Sequence, residues 1–170
     1  KQITDIKSKS CLGHLRYSTS GLTIKNGLIK KTELQPIRGI DKYSNQPFYI
    51  AHNGNIPNIK THDTTYIKNL LENEKDTMEN KLINLINKIP AAFSIIILTN
   101  DNVLYAIRDR FGIRPLCVGS DNGKYYISSE SCAFTNNVNY LRDINPGELI
   151  RIDNNGFQSL YTHQKSKLNL

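Results

Sequence analysis

Ala92-Phe93-Ser94-Ile95-Ile96-Ile97-Leu98 is the stretch that decides the fold, a run of β-branched and aromatic residues with no charged member. Such a composition favours a strand, and apolar side chains at successive positions predict burial on both faces. The turn residues Asn100-Asp101-Asn102 and a second apolar run at 103–107 predict that this strand opens a hairpin. A strand buried on both faces needs a layer of structure above and below it, so a layered domain is expected.

Further hairpins are predicted after this strand pair. Asp121-Asn122-Gly123 is typical of a tight turn because Asn and Gly tolerate positive φ, and Asp153-Asn154-Asn155-Gly156 offers the same chemistry. The strand pairs that these turns would join are 116–119 with 125–128 and 148–152 with 157–160.

Two amphipathic helices are predicted in the middle of the chain, where apolar residues recur at helical spacing. The first contains Ile67, Leu70 and Leu71, with Asp63 or Thr64 as its N-cap. Sheet-rich segments on both sides of a helical pair favour the α+β class over alternating βαβ units. The second helix is defined by Met78, Leu82, Ile83, Leu85, Ile86 and Ile89, with Thr77 as its N-cap and Pro90 after its end.

Composition restricts the chain to one domain without a membrane span. The 170 residues, 38% of them hydrophobic, suffice for a single core, and no apolar run approaches the roughly 18 residues needed to cross a bilayer. The net charge is +7, but the basic residues are scattered and only Lys30-Lys31 are adjacent, so no nucleic-acid partner is expected. We assign residues 1–162 to the domain and 163–170 to a polar tail.

Cysteine usage and the N-terminal sequence indicate a reducing compartment. Cys11, Cys117 and Cys132 form neither a disulfide framework nor a zinc-ligand spacing, so reduced thiols and no metal site are expected. Residues 1–6 have neither the apolar core of a secretory signal nor the pattern of a transit peptide. The expected location is the cytoplasm.

Several polar residues suit the binding of an amino acid, and each has an ordinary structural alternative. Arg16 suits a carboxylate through two parallel N–H donors, or is an exposed strand arginine. Asn53 and Gly54 suit an oxyanion hole, because an amide side chain stands beside a backbone N–H that only glycine can turn outward, or they form a hairpin turn, which the nearby Pro57 disfavours. Asp63 suits an ammonium group, or caps a helix. Their motifs are Gly13-His14-Leu15-Arg16-Tyr17-Ser18-Thr19, Ala51-His52-Asn53-Gly54-Asn55 and Thr61-His62-Asp63-Thr64.

The order of these motifs resembles the glutaminase domain of the amidophosphoribosyltransferases, which are class II glutamine amidotransferases with the Ntn-hydrolase fold. Two further blocks, Arg108-Asp109-Arg110-Phe111-Gly112-Ile113-Arg114-Pro115-Leu116 and Ser128-Ser129-Glu130-Ser131-Cys132-Ala133, strengthen the resemblance. It runs from Gly13 to about Gly156 and implies an αββα four-layer sandwich. It also implies glutamine hydrolysis that supplies ammonia to phosphoribosyl pyrophosphate in the first step of purine biosynthesis.

The same resemblance implies roles for individual residues and for partners. The oxyanion hole would be Asn53 and Gly54. The arginine of the first motif would hold the α-carboxylate of glutamine, and the aspartate of the third its α-amino group. The implied partners are glutamine and a phosphoribosyltransferase domain, to which magnesium and phosphoribosyl pyrophosphate would belong, so no cofactor is expected in this chain. The implied glutamine-binding residues are Arg16, Ser18, Thr19 and Asp63.

The sequence departs from this family in three ways. Family members open with a nucleophilic cysteine well before the Gly-His-x-Arg motif, which begins here at Gly13. The segment 56–62 is shorter than in the family, and these 170 residues are not expected to contain the phosphoribosyltransferase domain. We therefore expect a domain that is incomplete at its N-terminus and inactive by itself. Cys11 is a less favoured nucleophile, and Cys117 and Cys132 are predicted to pack in the core.

Two other functions are compatible with the same residues. One is a non-catalytic glutamine-binding or structural module, and the other is a class II amidotransferase domain with a different acceptor. Loss of the family's opening strands would leave an unpaired sheet edge, and an unpaired edge promotes association between chains. A homo-oligomer is therefore a further candidate partner.

Overall fold

A computed structural model describes residues 8–15, 24–25, 28–29 and 34–164. A 3-10 turn at Ser131–Ala133 lies between the eighth and ninth strands. The helices and strands in chain order are β1 (Ile24–Lys25), β2 (Leu28–Ile29), β3 (Ile37–Asp41), β4 (Gln46–Asn55), α1 (Asp63–Asn73), α2 (Met78–Lys88), β5 (Ala92–Thr99), β6 (Leu104–Arg108), β7 (Cys117–Asp121), β8 (Lys124–Ser128), β9 (Asn139–Asp143), β10 (Glu148–Asp153) and β11 (Gly156–Thr162).

The strand β5 lies inside an antiparallel six-stranded sheet with the order β11-β10-β6-β5-β4-β3. Its Ile95 pairs with His52 of β4 on one side and with Ile107 of β6 on the other. The predicted central strand and its hairpin with β6 are thus confirmed. β1 and β2 form a separate two-stranded ladder.

Alternate residues of β5 serve two different cores, because successive side chains of a strand point to opposite faces. Phe93, Ile95 and Ile97 are buried against the two helices, in the cluster that also contains Ile67 of α1 and Leu82 of α2. The opposite face has its own cluster. That second cluster contains Ala106, Leu116, Ile144 and Ile150, with Ile96, Ile127, Ile152 and Phe157 packed against it.

A smaller sheet with the order β8-β7-β9 supplies the layer over this second face. Its β7–β8 hairpin turns at Asn122 and Gly123, whose φ values of 46° and 76° confirm the tight turn predicted there. Within the described ranges the layers are therefore helices, large sheet and small sheet, and the α+β class is confirmed. No helix among the described residues has the length and apolar character that crossing a membrane requires.

Five strands were not predicted: the two-residue strands β1 and β2, and the strands β3, β4 and β9, of which the last three lack the usual signal. β3 has Arg, Gly and Asp among its five residues, and β9 is largely exposed, so neither shows a clean apolar alternation. β4 contains Pro47 and ends in His-Asn-Gly-Asn, residues that are depleted in strands. The hairpin-turn alternative for Asn53 and Gly54 is wrong, because both lie inside β4 and pair with Ser94 and Phe93 of β5.

The prediction for the start of α1 is also wrong. The N-cap is His62, which makes no side-chain capping bond, and Asp63 is the first helical residue. Thr64 is fully buried and its hydroxyl lies 3.3 Å from Nδ1 of His52. By contrast, Thr77 caps α2 as predicted, accepting a hydrogen bond from the backbone N–H of Asn80 at 3.3 Å.

The cysteine predictions have mixed outcomes. Cys117 is buried, as predicted, in the first position of β7. Cys132 is exposed in the 3-10 turn, so the prediction that it packs in the core is wrong. The sequence around Cys132 does not show whether its small side chain points into the core or toward solvent.

A buried ion pair joins α2 to the end of β3. Lys81 is fully buried and its ammonium donates to Oδ1 of Asp41 at 2.6 Å. Burial by itself would raise the pKa of Asp41, but the hydrogen bonds from Lys81 and from the Tyr43 N–H, with the charge of Lys81, hold that pKa below its usual range. The pair therefore stabilises the fold above the normal aspartate pKa, and the contribution is lost as the pH falls through the lower, folded-state value.

We predict that Lys81→Met destabilises the protein by roughly 3 kcal/mol, because it leaves the Asp41 carboxylate buried without its cation. Chemical denaturation of the purified protein measures the change. Lys68→Met is the matched control, since Lys68 pairs with Glu72 on the more accessible surface of α1 and should cost less than about 1 kcal/mol. Equal losses for the two variants would contradict the assignment of the stronger role to the buried pair.

Candidate functional site

A cavity of about 990 Å³ lies at the C-terminal end of β4, bordered by the 56–62 loop and by the start of α1. It brings together Asn53, Gly54 and Asp63, three of the residues that the sequence predicts for the site. The other three, Arg16, Ser18 and Thr19, lie outside the described residues. Its walls also include His52, Arg114, Ser129 and Glu130.

The strand register turns the N–H of Gly54 away from β5. The backbone N–H and carbonyl of His52 are both bonded to the side chain of Gln35, at 2.6 and 3.1 Å, on the side of β4 opposite to β5. Polar backbone groups point in the same direction at every second residue of a strand. The N–H of Gly54 therefore points out of the sheet as well, and no acceptor for it occurs among the described residues.

The pairing of β5 with β6 leads to the same conclusion. Phe93 is opposite Gly54, and its carbonyl accepts from the N–H of Asp109 at 2.9 Å, on the side away from β4. Phe93 and Gly54 therefore form a pair without mutual hydrogen bonds, as every second pair of an antiparallel ladder does. The free N–H of Gly54 is a consequence of register and not of a special turn.

Glycine is required at position 54 because the surrounding atoms leave no space for a Cβ. A Cβ on Gly54 would collide with the carbonyl oxygen of Ala92 and would lie 2.6 Å from Nε2 of His52. The sequence-based reason, a backbone that only glycine can turn outward, is wrong because Gly54 continues the extended strand. Glycine at this position lets the backbone donor stay open while the His52 ring and β5 pack against it.

The side chain of Asn53 points to the opposite face of β4 from His52, toward the small sheet. Its Nδ2 donates a hydrogen bond to Oγ of Ser129 at 3.0 Å. A primary amide nitrogen carries two N–H groups, so one remains for a group in the cavity. Asn53 and Gly54 thus present one side-chain donor and one backbone donor at the same end of β4.

Asp63 holds the short loop before α1 in place. Its Oδ2 accepts from the backbone N–H of Ile56 at 2.9 Å, across the 56–62 loop. The second oxygen, Oδ1, has no hydrogen-bond partner within the described ranges. One carboxylate therefore fixes the cavity wall and presents a negative charge to its interior.

His52 is held as a neutral ring beneath the cavity. Its Nδ1 lies 3.3 Å from the Thr64 hydroxyl, and its buried Nε2 has no hydrogen-bond partner in the described part of the chain. Burial is the main cause that lowers the pKa of His52 to about 4, and the positive charges of His62, His14 and Arg114 lower it further. At neutral pH the ring is uncharged, and such a low pKa makes it a weak base.

A buried carboxylate shapes the loop that carries Arg114. Asp109 is fully buried and accepts from the backbone N–H of Phe93, Phe111, Ile113 and Arg114 at 2.9 to 3.3 Å. These bonds fix residues 109–115 as a turn, with the exposed Arg114 on the cavity wall. A single acceptor with four backbone donors makes this loop a rigid support.

Sequence reasoning gave no site role to Arg114, Ser129 or Glu130, although all three stand in the blocks that carry the family resemblance. Arg114 follows β6, and the other two follow β8. The two strands belong to different sheets, so their loops meet only once the sheets are stacked. Local sequence gives no information about how the two sheets stack. The sequence signal for these three residues was their position in the blocks that resemble the family.

We predict that Gly54→Ala destabilises the protein by about 1 to 3 kcal/mol, because the new methyl group collides with backbone and a buried ring. Chemical or thermal unfolding measures the effect. Gly13→Ala is the control, because a Cβ there meets no atom within 4 Å, and it should change stability by less than about 0.5 kcal/mol. A Gly54→Ala protein as stable as the control would contradict the close packing at this position.

We predict that His52 makes the protein less stable as the pH falls from 6.5 to about 4. The unfolded chain takes up a proton near pH 6.5 and the folded chain only near pH 4, so the difference grows to roughly 3 kcal/mol over that interval. Unfolding experiments across this range should show a smaller pH dependence for His52→Gln than for the wild type. His163→Gln, just after β11, is the control. Curves of stability against pH that run parallel for the wild type and His52→Gln would contradict the prediction.

Comparison with protein families identifies the domain. A family model described as "Glutamine amidotransferase domain" matches residues 25–136. The amidophosphoribosyltransferase of Methanocaldococcus jannaschii is 35% identical over 83% of this chain and 32% of its own length. The chloroplastic amidophosphoribosyltransferase of Vigna aconitifolia is 31% identical over 98% of this chain and 36% of its own length. The chain spans about a third of the length of these relatives.

Solved structures agree with the sequence relatives. The glutamine phosphoribosylpyrophosphate amidotransferase of Bacillus subtilis, complexed with ADP and GMP, is similar with a TM-score of 0.74 and 25% identity, over 89% of this chain and 34% of that one. This similarity confirms the Ntn-hydrolase type of fold, of which the described residues contain the helical layer and the two sheets. Because the family model matches more than half of its residues, the chain belongs to the glutamine amidotransferase domain family.

Proposed function

We propose that the cavity at the end of β4 binds glutamine and stabilises the oxyanion that forms when the side-chain amide of glutamine is attacked. The observation that carries this proposal is the pair of donors, the Nδ2 of Asn53 and the N–H of Gly54, at one end of one strand. Attack on an amide moves negative charge onto its carbonyl oxygen. Two fixed N–H donors stabilise that charge more than they stabilise the neutral substrate.

The remaining charges of the cavity suit a free amino acid. Asp63 offers one unpaired carboxylate oxygen for the α-ammonium group of glutamine. The α-carboxylate requires a cation, and Arg16, with Ser18 and Thr19 in its loop, is the proposed partner on the strength of the family motif. A zwitterion bound between opposite charges would present its side chain to Asn53 and Gly54.

The described cysteines do not provide the nucleophile of the proposed reaction. None of the three cysteines, Cys11, Cys117 and Cys132, lines this cavity. Burial, with the nearby Asp143 carboxylate, raises the pKa of Cys117 to about 11, so its thiol stays protonated at neutral pH. We propose an N-terminal cysteine of the parent polypeptide as the attacking group, as the family resemblance implies.

For the parent enzyme we propose the reaction after which its relatives are named. Ammonia released from glutamine would pass to phosphoribosyl pyrophosphate, bound with magnesium in a second domain. The support is the relatives' names and the share of their length, about a third, that this chain matches.

The cytoplasm is the proposed location of the protein. The relative from Vigna aconitifolia is named chloroplastic, so fractionation of the source cells is the relevant test.

A second candidate is a glutamine-binding module without hydrolysis. It is favoured by the presence of binding and oxyanion donors in a cavity that no described cysteine reaches. The two candidates differ in a direct way. Both require glutamine to bind, and only the first requires ammonia to be released.

The test is a glutaminase assay on the full-length protein, with Asn53→Ala compared with the wild type. Loss of one oxyanion donor should lower kcat by roughly 100-fold or more and change KM little, because the donor acts in the transition state. Asn69→Ala, on the exposed surface of α1, is the matched control and should behave as the wild type.

Three other outcomes would decide between these proposals. Binding of glutamine by calorimetry without any ammonia release would favour the binding module. An Asn53→Ala variant with unchanged kcat would contradict the assignment of the oxyanion hole. Absence of both binding and turnover would contradict glutamine as the ligand.

A further inference from the structure

We propose that Ser129 is a positioning residue for the oxyanion-hole amide of Asn53. The inference rests on the proposed glutaminase function and adds to it a residue on the other sheet. Ser129 Oγ accepts a hydrogen bond from Nδ2 of Asn53 at 3.0 Å. The two residues are 76 positions apart in the chain, Asn53 within β4 and Ser129 directly after β8, so this bond bridges the large sheet and the small sheet at the cavity.

Asn53 needs such a partner because its side chain is exposed at the mouth of the cavity. An exposed asparagine side chain rotates among several conformers. A donor that must become ordered during the reaction stabilises the transition state less than a donor that is already fixed. The bond to Ser129 occupies one N–H of the amide and fixes the direction of the nitrogen. The other N–H is thereby held toward the cavity before substrate arrives.

Ser129 is itself on a stiff support. It directly follows Ser128, the last residue of β8, which pairs with Cys117 of β7. The Cys117 thiol donates to the carbonyl of Ser128 at 3.3 Å. On the other side, the N–H of Ala133 donates to the carbonyl of Glu130 at 3.2 Å and closes the 3-10 turn. A strand end and a closed turn on either side fix the backbone from which the Ser129 hydroxyl extends.

The chemistry of the contact predicts which replacements work. Alanine removes the acceptor and frees the amide, whereas threonine keeps a hydroxyl at the same branch point. Ser129 is half-buried and borders the cavity, so the additional methyl group of threonine has space. Ser131, two residues later, has an exposed side chain whose hydroxyl has no hydrogen bond among the described residues, and it provides a control in the same loop.

The experiment is steady-state glutamine hydrolysis by the full-length protein and its variants. We expect Ser129→Ala to lower kcat by roughly tenfold, less than complete removal of a donor, with KM within about twofold of the wild type. Ser129→Thr should recover most of the lost kcat, and Ser131→Ala should match the wild type. Thermal unfolding of each variant tests whether a lowered kcat merely reflects a less stable protein.

The double variant Asn53→Ala/Ser129→Ala decides whether Ser129 acts through Asn53. If it does, the double variant has the same kcat as Asn53→Ala alone, because no amide remains to be positioned. A further drop in the double variant, or a Ser129→Ala protein with wild-type kcat, would overturn the inference and leave the proposed function in place. An Asn53→Ala protein with wild-type kcat would overturn the proposed function itself, and the inference with it.

Discussion

The register between β4 and β5 is the constraint on which the site depends. Because Phe93 gives its backbone groups to Asp109, Gly54 opposite it has no ladder partner and its N–H is left free. The same alternation places Asn53 toward the small sheet and His52 toward the helices. A shift by one residue would exchange these directions and bury the donors. Strand pairing in the core therefore determines the chemistry at the end of the sheet.

Buried and half-buried polar side chains near the cavity support that register. Asp109 and Arg108 fix the loop after β6, with Arg108 donating to the carbonyls of Gly112, Arg114 and Ile144 at 2.8 Å. Gln35 closes the free edge of β4 by bonding the backbone of His52. Each of these hydrogen bonds fixes the protein backbone and does not involve a ligand. The donors that face the cavity are consequently in place before anything binds, which is what electrostatic stabilisation of a transition state requires.

The sequence was informative where chemistry is local and uninformative where it depends on sheet stacking. The apolar run of β5, the helical spacing of Leu82 and Leu85 and the turn at Asn122 predicted their elements well. β4 was missed because its final residues, which build the site, are poor strand formers. The prediction of Asn53 and Gly54 as oxyanion donors rested on a family motif. Backbone freedom was the expected reason for glycine at position 54, whereas the structure shows that a Cβ has no space there. Ser129 had no separate signal, since its contact joins two sheets.

Trapping the full-length protein with an electrophilic glutamine analogue and determining its structure tests the central claim most directly. The analogue's carbonyl carbon would bond to the attacking thiol, and its oxygen would represent the oxyanion. Our account predicts that this oxygen lies about 2.7 to 3.1 Å from both Nδ2 of Asn53 and the backbone nitrogen of Gly54. An oxygen that points away from both nitrogens, or an analogue bound outside the cavity at the end of β4, would contradict it.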